Sequence, residues 1–174
     1  DQFVRTGAIS ETGEAILKNV DTSYRLGIEI DLTAQASENV QIKTQLALSE
    51  NKMREFANSE LKKISYSPEM VFGAQFVYFT SVDGRLEFKH KFVSEQFLEL
   101  KNDANKMLES YFFNDLSYFH QFEFDRYDAT LGAQINNLFD QKFESNGNYS
   151  TKYGTFFFPQ AGRHFMLNLA VSFK

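Results

Sequence analysis

The sequence predicts an all-β fold, an antiparallel up-and-down sheet of about seven to eight strands. Three observations predict it. Apolar and polar residues alternate with period two in run after run. Connections between the runs alternate between short and long. The 20 Phe and 8 Tyr among 174 residues gather near the ends of those runs. Alternation with period two is what a strand shows when only one of its faces is apolar.

The runs follow one another along the chain. Tyr24, Leu26, Ile28, Ile30, Leu32 and Ala34 alternate with Arg25, Gly27, Glu29, Asp31, Thr33 and Gln35. Ser37-Glu38-Asn39 has the composition of a tight turn, and Val40, Ile42, Leu46 and Leu48 then alternate with Gln41, Lys43, Gln45 and Ser49. Met70, Phe72, Ala74, Phe76 and Tyr78 form one face of a third strand. Asp83-Gly84 is a strong hairpin signal, and Leu86, Phe88 and Phe92 follow against Arg85, Glu87, Lys89 and Lys91. A fifth strand is predicted from about Tyr111 to Phe124, with a turn at 125–128. A sixth sets Leu131, Ala133 and Ile135 against Thr130, Gln134 and Asn136. The last sets Phe165, Leu167, Leu169, Val171 and Phe173 against His164, Asn168 and Ser172.

Period two also fits a soluble antiparallel β-sandwich serving binding or adhesion. Three features favour an outer-membrane barrel. The strands run to ten residues or more, longer than the usual 5–6. Short turns near 36–39, 81–84 and 125–128 lie on one side, and long connections near 50–67, 95–110 and 139–160 on the other, like periplasmic turns and extracellular loops. Tyr24, Tyr78, Phe79, Tyr111, Phe112, Phe124 and Phe173 sit near strand ends, as interfacial girdles do. Mean hydropathy of −0.39 fits either reading, because every second barrel residue faces a polar lumen.

Composition excludes several functions. A formal net charge of −5 argues against nucleic acid, whose phosphates need a basic face. Absence of Cys excludes disulfides and thiolate metal sites. No run of about 18 apolar residues encodes a transmembrane helix. No signal peptide is present, and Asp1-Gln2-Phe3-Val4-Arg5 reads as the end of a strand, so the chain is expected to begin inside a larger protein.

No catalytic constellation emerges, and the protein is not expected to be an enzyme or to carry a cofactor. His90, His120 and His164 lack partners at metal-ligand spacing, and no metal site is expected; His90 and His120 fall on apolar faces, as interfacial histidines. No G-x-S-x-G elbow occurs. Asn146-Gly147-Asn148 lies in a long connection, without the strand-to-helix setting of a phosphate site. Glu29 and Asp31 sit about 7 Å apart on one strand face, which reads as lumen lining. Residues 95–109 space Phe97, Leu100, Ala104, Met107 and Leu108 in a near-helical way, so a short loop helix is expected there, with partner docking as its sharper reading.

Two segments resemble a known family. Ile135-Asn136-Asn137-Leu138-Phe139-Asp140-Gln141-Lys142-Phe143 and Pro159-Gln160-Ala161-Gly162-Arg163 resemble the xNNLFDxxY/F and PxxGR segments near the end of TonB-dependent outer-membrane receptors. Asp1–Gly7 and Asn19–Gly27 are similar to segments of Bacteroidetes-type members. The resemblance spans essentially the whole chain. Many members end on an aromatic residue; here Phe173 precedes Lys174.

The resemblance implies that residues 1–174 are the C-terminal part of a barrel of about 22 strands, with the plug domain absent from this chain. It implies TonB-dependent uptake of a scarce nutrient in the outer membrane of a Gram-negative bacterium. An iron-siderophore type ligand is expected from family frequency, and a glycan-importing, SusC-like receptor is the alternative. Implied partners are the remainder of the barrel and plug, TonB through the plug, the barrel-assembly machinery, outer-membrane lipid and a small nutrient ligand, with a surface lipoprotein as a further candidate. Arg25, Glu29, Asp31, Lys43 and Gln45 are the lumen-facing candidates; Leu26, Ile28, Ile30 and Leu46 are expected to face lipid. Phe165, Leu167, Leu169, Val171 and Phe173 form the candidate C-terminal assembly signal.

Overall fold

The computed structural model describes residues 2–54, 60–150 and 153–174. Asp1, and residues 55–59 and 151–152 of two long connections, lie outside the described residues. The chain opens with a hairpin, β1 (Gln2–Ile9) and β2 (Ala15–Val20). There follow β3 (Thr22–Ser37), β4 (Val40–Arg54), β5 (Lys62–Lys63), β6 (Met70–Phe79), β7 (Gly84–Val93), β8 (Gln96–Phe97), β9 (Met107–Leu108), β10 (Tyr111–Glu123), β11 (Tyr127–Asn136), β12 (Glu144–Ser150), β13 (Gly154–Pro159) and β14 (His164–Phe173).

The seven long runs predicted from alternation form one antiparallel meander, ordered β3-β4-β6-β7-β10-β11-β14. The turns after β3, β6 and β10 are short, as expected. After β6, Asp83 takes the left-handed conformation (φ 51°), and Thr80 and Gly84 close the hairpin with a 2.8 Å backbone bond. A Cβ at Gly84 would lie 2.5 Å from Thr80 Oγ1 and 2.6 Å from the Tyr118 hydroxyl, so those side chains would have to shift.

The long connections are more structured than the sequence suggested. β4 continues to Arg54, past the expected end of its strand. Residues 144–150 pair with residues 154–159 as β12 and β13, so Asn146-Gly147-Asn148 belongs to a strand. The expected helix over 95–109 is not formed. Residues 96–108 make the β8–β9 ladder with one 3-10 turn at Ala104–Lys106. Asn102 interrupts any helix there: it takes a left-handed φ of 57° and exchanges bonds with Lys63, accepting from its N–H (2.7 Å) and donating to its C=O (2.9 Å).

Of the apolar residues that suggested a helix, Leu100 and Leu108 pack into a loop layer instead, and Ala104 is exposed. Val20, Met53, Ile64 and Leu100 form a buried cluster above the sheet, and Leu98 and Leu108 are also buried. Tyr66 ties the layer together, donating from its hydroxyl to Gly147 C=O at 3.1 Å and from its N–H to Phe97 C=O at 2.9 Å. This layer holds the largest fully buried side chains described, Met53, Leu98, Leu108 and Val20. On the apolar face of the sheet, Leu26, Ile28, Leu32, Leu167 and Phe173 are 61% to 81% exposed. A β-sandwich would bury that face against a second sheet, and the seven strands here form a single one.

β3 and β14 each lack a ladder partner on one side among the described residues. Unpaired N–H and C=O rows template further strand addition and have no partner in lipid. The isolated 174-residue chain should therefore aggregate in plain buffer; native mass spectrometry or sedimentation giving a lone folded monomer would contradict this.

Candidate functional site

Register sorts the candidate residues onto two faces. On β3, Arg25, Glu29, Asp31 and Thr33 lie opposite Asn51, Ala47, Gln45 and Lys43 of β4. The rows continue across the sheet. Gln45 leads to Gly73, Lys91 and Phe113, and Lys43 leads to Gln75, Lys89 and Asp115. Arg25, Glu29, Asp31, Lys43 and Gln45 therefore share one polar face. A hollow of about 740 Å³ opens on it, lined by Asp31, Lys43, Gln45, Gln75, Lys91 and Asp115 among others, with Gly73 at its floor.

Charges on this face are partly paired. Glu87 is buried (5% exposed) and takes bonds from Arg85 Nε at 2.7 Å, Lys89 Nζ at 3.3 Å and Gln75 Nε2 at 2.9 Å. A buried carboxylate needs such partners to offset lost hydration. The Arg85 guanidinium also lies 5.0 Å from the centre of the Phe119 ring.

The opposite face is apolar. Leu26, Ile28, Ile30 and Leu46 lie on it, and one row runs from Ile30 through Leu46, Phe72 and Phe92 to Phe112. Phe165, Leu167, Leu169, Val171 and Phe173 fall on the same face through their pairing with β11. His90 interrupts it: Nδ1 lies 2.8 Å from Asn114 Oδ1, with the rings of Phe72 and Phe112 each 6.0 Å away. Near the short turns, His120 contacts Phe122 edge-on at 4.4 Å, and Phe124 stacks on Tyr127 at 4.5 Å. Two residues expected in the girdles belong elsewhere. Tyr111 lies on the polar face, where it stacks on Phe143 at 4.8 Å. Phe79 pairs with Arg85 and so shares that face. Both sit one residue out of phase with the apolar set, and strand phase decides orientation.

The 135–143 and 159–163 segments form a hydrogen-bonded neck between β11 and β14. Asn137, 4% exposed, takes φ 51°. Its N–H donates to Asp115 Oδ1 at 2.9 Å, and its Nδ2 donates to the C=O of Gln141 (2.9 Å) and of Ala161 (3.2 Å). Its Oδ1 accepts from Gln141 N–H at 2.9 Å. Asp140 Oδ1 accepts from Arg163 N–H at 2.8 Å. That bond, and then the charge of Lys142, hold the Asp140 carboxyl below its ordinary value. Sequence reading named these residues only as motif letters. The available signal was an Asn and an Asp, both tolerant of left-handed backbone, at the end of a strand.

Among the described residues no group of His, Asp or Glu could hold a metal ion, and no helix is long and apolar enough to cross a membrane, which says nothing about barrels.

With the geometry known, similarity to solved structures can be weighed. No protein-family model and no curated protein sequence matches the chain. Solved structures do. The ferric-catecholate import receptor Fiu from E. coli K12 superposes with a TM-score of 0.69 at 16% identity, over 96% of this chain and 23% of that one. The ferric preacinetobactin receptor BauA from Acinetobacter baumannii gives 0.69 at 14% identity, over 98% and 25%. The ferric yersiniabactin uptake receptor FyuA from Yersinia pestis gives 0.67 at 15% identity, over 90% and 24%. The fold is that of a β-barrel segment of such receptors. The chain spans about a quarter or less of their length.

Two outcomes follow from this geometry. Where the apolar face meets lipid, as in a barrel wall, Arg introduced at Ile28 should destabilise the intact protein in a bilayer by about 2–4 kcal/mol, and Arg at Thr33, on the polar face, by much less; equal effects in bilayer folding titrations would show the faces to be misassigned. For Asp140, a folded-state value below the ordinary 3.8 means that its stabilisation is fully present above that value and is lost as pH falls through the lower one. Protection of the Arg163 amide, corrected for intrinsic exchange, should drop on acidification in that window. Asp140→Asn, which keeps an acceptor oxygen but no titrating charge, should abolish the drop.

Proposed function

We propose that this chain is the C-terminal barrel part of a TonB-dependent outer-membrane receptor that imports a scarce nutrient, with a ferric siderophore as the ligand class. The observation that carries the reading is the likeness of nearly the whole chain to barrel segments of receptors for ferric compounds. The bare apolar face supports it, since an exposed apolar surface of this extent needs lipid or another apolar partner. So does the placement of the polar hollow on the opposite face, where a barrel keeps its lumen.

In this reading Arg25, Glu29, Asp31, Lys43 and Gln45 line the lumen, and Leu26, Ile28, Ile30 and Leu46 face lipid. The free edges of β3 and β14 pair with the rest of the barrel. The plug, and TonB acting through it, belong to parts of the protein outside residues 1–174. The loop layer, lying at the end of the sheet with the long connections, faces the outside and takes part in ligand capture.

The ligand assignment is tested on the full-length receptor. Saturable binding should be found with ferric chelates and not with cobalamin or oligosaccharides; saturable binding of a glycan alone would replace the iron reading with a glycan importer, the type that works with a surface lipoprotein.

The last strand is also read as the signal for the barrel-assembly machinery, which acts by strand addition to an unpaired edge. Phe173→Ala in the full-length protein should then reduce outer-membrane insertion more than Phe165→Ala does. Equal loss in the two would leave Phe173 as an ordinary girdle residue.

A further inference from the structure

An outer strand held by alternation alone has a choice of registers. A slip of β14 by one residue would turn Phe165, Leu167, Leu169, Val171 and Phe173 onto the polar face, and the hydrophobic pattern forbids it. A slip by two residues is different. It leaves those five on the apolar face and His164, Met166, Asn168, Ala170 and Ser172 on the polar one, so alternation says nothing against it. In a hairpin with a two-residue loop the turn would decide. β11 and β14 are separated by residues 137–163, far too many for that.

We infer that the neck selects the register of β14, through Asn137, Asp140 and the chain at 160–163. The ladder of β11 and β14 ends at the pair Asn136 and His164. Beyond it four bonds bridge the two arms: Asn137 Nδ2 to Ala161 C=O, Arg163 N–H to Asp140 Oδ1, Arg163 Nη1 to Leu138 C=O at 3.4 Å, and Gln160 N–H to Phe143 C=O at 3.0 Å. Each fixes a definite residue of the incoming arm. A two-residue slip would shift Arg163 by about 7 Å along the strand, and the bond to Asp140 would be lost. Gly162 belongs to the same fit, since a Cβ there would lie 2.6 Å from Asp140 Oδ1.

A selector must itself be fixed independently of the strand it selects, and the neck is. Leu138 N–H donates to Asn114 C=O at 2.7 Å, and Asn137 N–H donates to Asp115 Oδ1. Phe143 lies on the polar face of β10, stacked on Tyr111 and, at 5.6 Å, on Phe113. The neck is thus anchored to β10 by contacts that do not involve β14. Competing selectors exist. The Asn168 amide lies over Gly132, where a Cβ would meet it, and at the other end of β14 Lys174 donates its N–H to Arg126 C=O and its Nζ to Phe124 C=O, each at 3.1 Å, so these contacts also distinguish registers.

Disulfide trapping separates the two, and the absence of native Cys makes the pairs unambiguous. In the full-length protein, Ala133→Cys with Leu167→Cys reports the native pair, because direct cross-strand partners lie within disulfide reach. Ala133→Cys with Leu169→Cys, or with Phe165→Cys, reports a slip by two in either direction. Yields are read on the folded, membrane-inserted fraction. With an intact neck only the first pair should cross-link. Combining Asn137→Ala with Asp140→Ala should lower that yield several-fold and bring up a slipped pair, while Asn168→Ala alone and Lys174→Ala alone should each leave the native pair unchanged. Should the double variant fail to assemble, the single Asp140→Ala decides in the same way. Undiminished native cross-linking in the neck variant, or slippage from Asn168→Ala or Lys174→Ala alone, would overturn the inference.

Discussion

Every backbone N–H and C=O of a strand needs a partner, and lipid, unlike water, offers none. Six consecutive antiparallel pairings from β3 to β14 supply those partners within the sheet. Once that ladder is set, strand pleating leaves little freedom: odd positions of β3 meet odd positions of β4, and the rows propagate across the sheet. The charge cluster on the polar face follows from register alone. Glu87 reaches Arg85 and Lys89 because all three alternate on one strand, and it reaches Gln75 because that side chain projects from the same face of the next. The apolar rows on the other side are the same ladder seen from behind.

This arrangement gives the chain two separate sources of cohesion. The sheet rests on backbone bonds, and its apolar face is bare within these 174 residues. The loop layer rests on burial, with Met53 and Leu98 fully enclosed and Tyr66 bonded across to β12. Met53 belongs to both, being the upper end of a sheet strand and a member of the loop cluster. The loops are thus built on the strand tops as a packed layer, and Lys106, 4.0 Å from the centre of the Tyr149 ring and paired with Asp103, joins β12 to the turn at 104–106.

The seven long strands were legible because period two is a direct image of a two-faced sheet, and no tertiary contact was needed to read it. Tyr111 and Phe79 show where the reading slipped: girdle membership was inferred from nearness to a strand end, while phase puts both on the polar face. The 95–109 segment failed for a different reason. Its apolar spacing came from packing against β12 and the 62–66 segment, contacts between residues far apart in sequence, and a local period has no access to them. The neck was visible as a motif and silent as a mechanism. Nothing in the letters Asn137, Asp140 and Arg163 says that the first two reach across a 27-residue excursion, from 137 to 163, to Ala161 and to the Arg163 amide.

Identity of 14% to 16% with structures that superpose over 90% to 98% of the chain is what this physics allows. On the apolar face any large hydrophobic residue meets the requirement, and on the polar face almost any polar one does, so the sheet constrains residue class far more than residue type. Constraint on type concentrates where geometry has a single solution. A Cβ at Gly84 would displace the Thr80 and Tyr118 side chains, one at Gly162 would displace the Asp140 carboxylate, and Asn137 offers both an amide donor and an acceptor from left-handed backbone. These positions lie in the turns and the neck, away from the long rows of the sheet. The loop layer has a separate core of its own, with Met53 and Leu98 fully enclosed, so its surface side chains are free to vary without unfolding it.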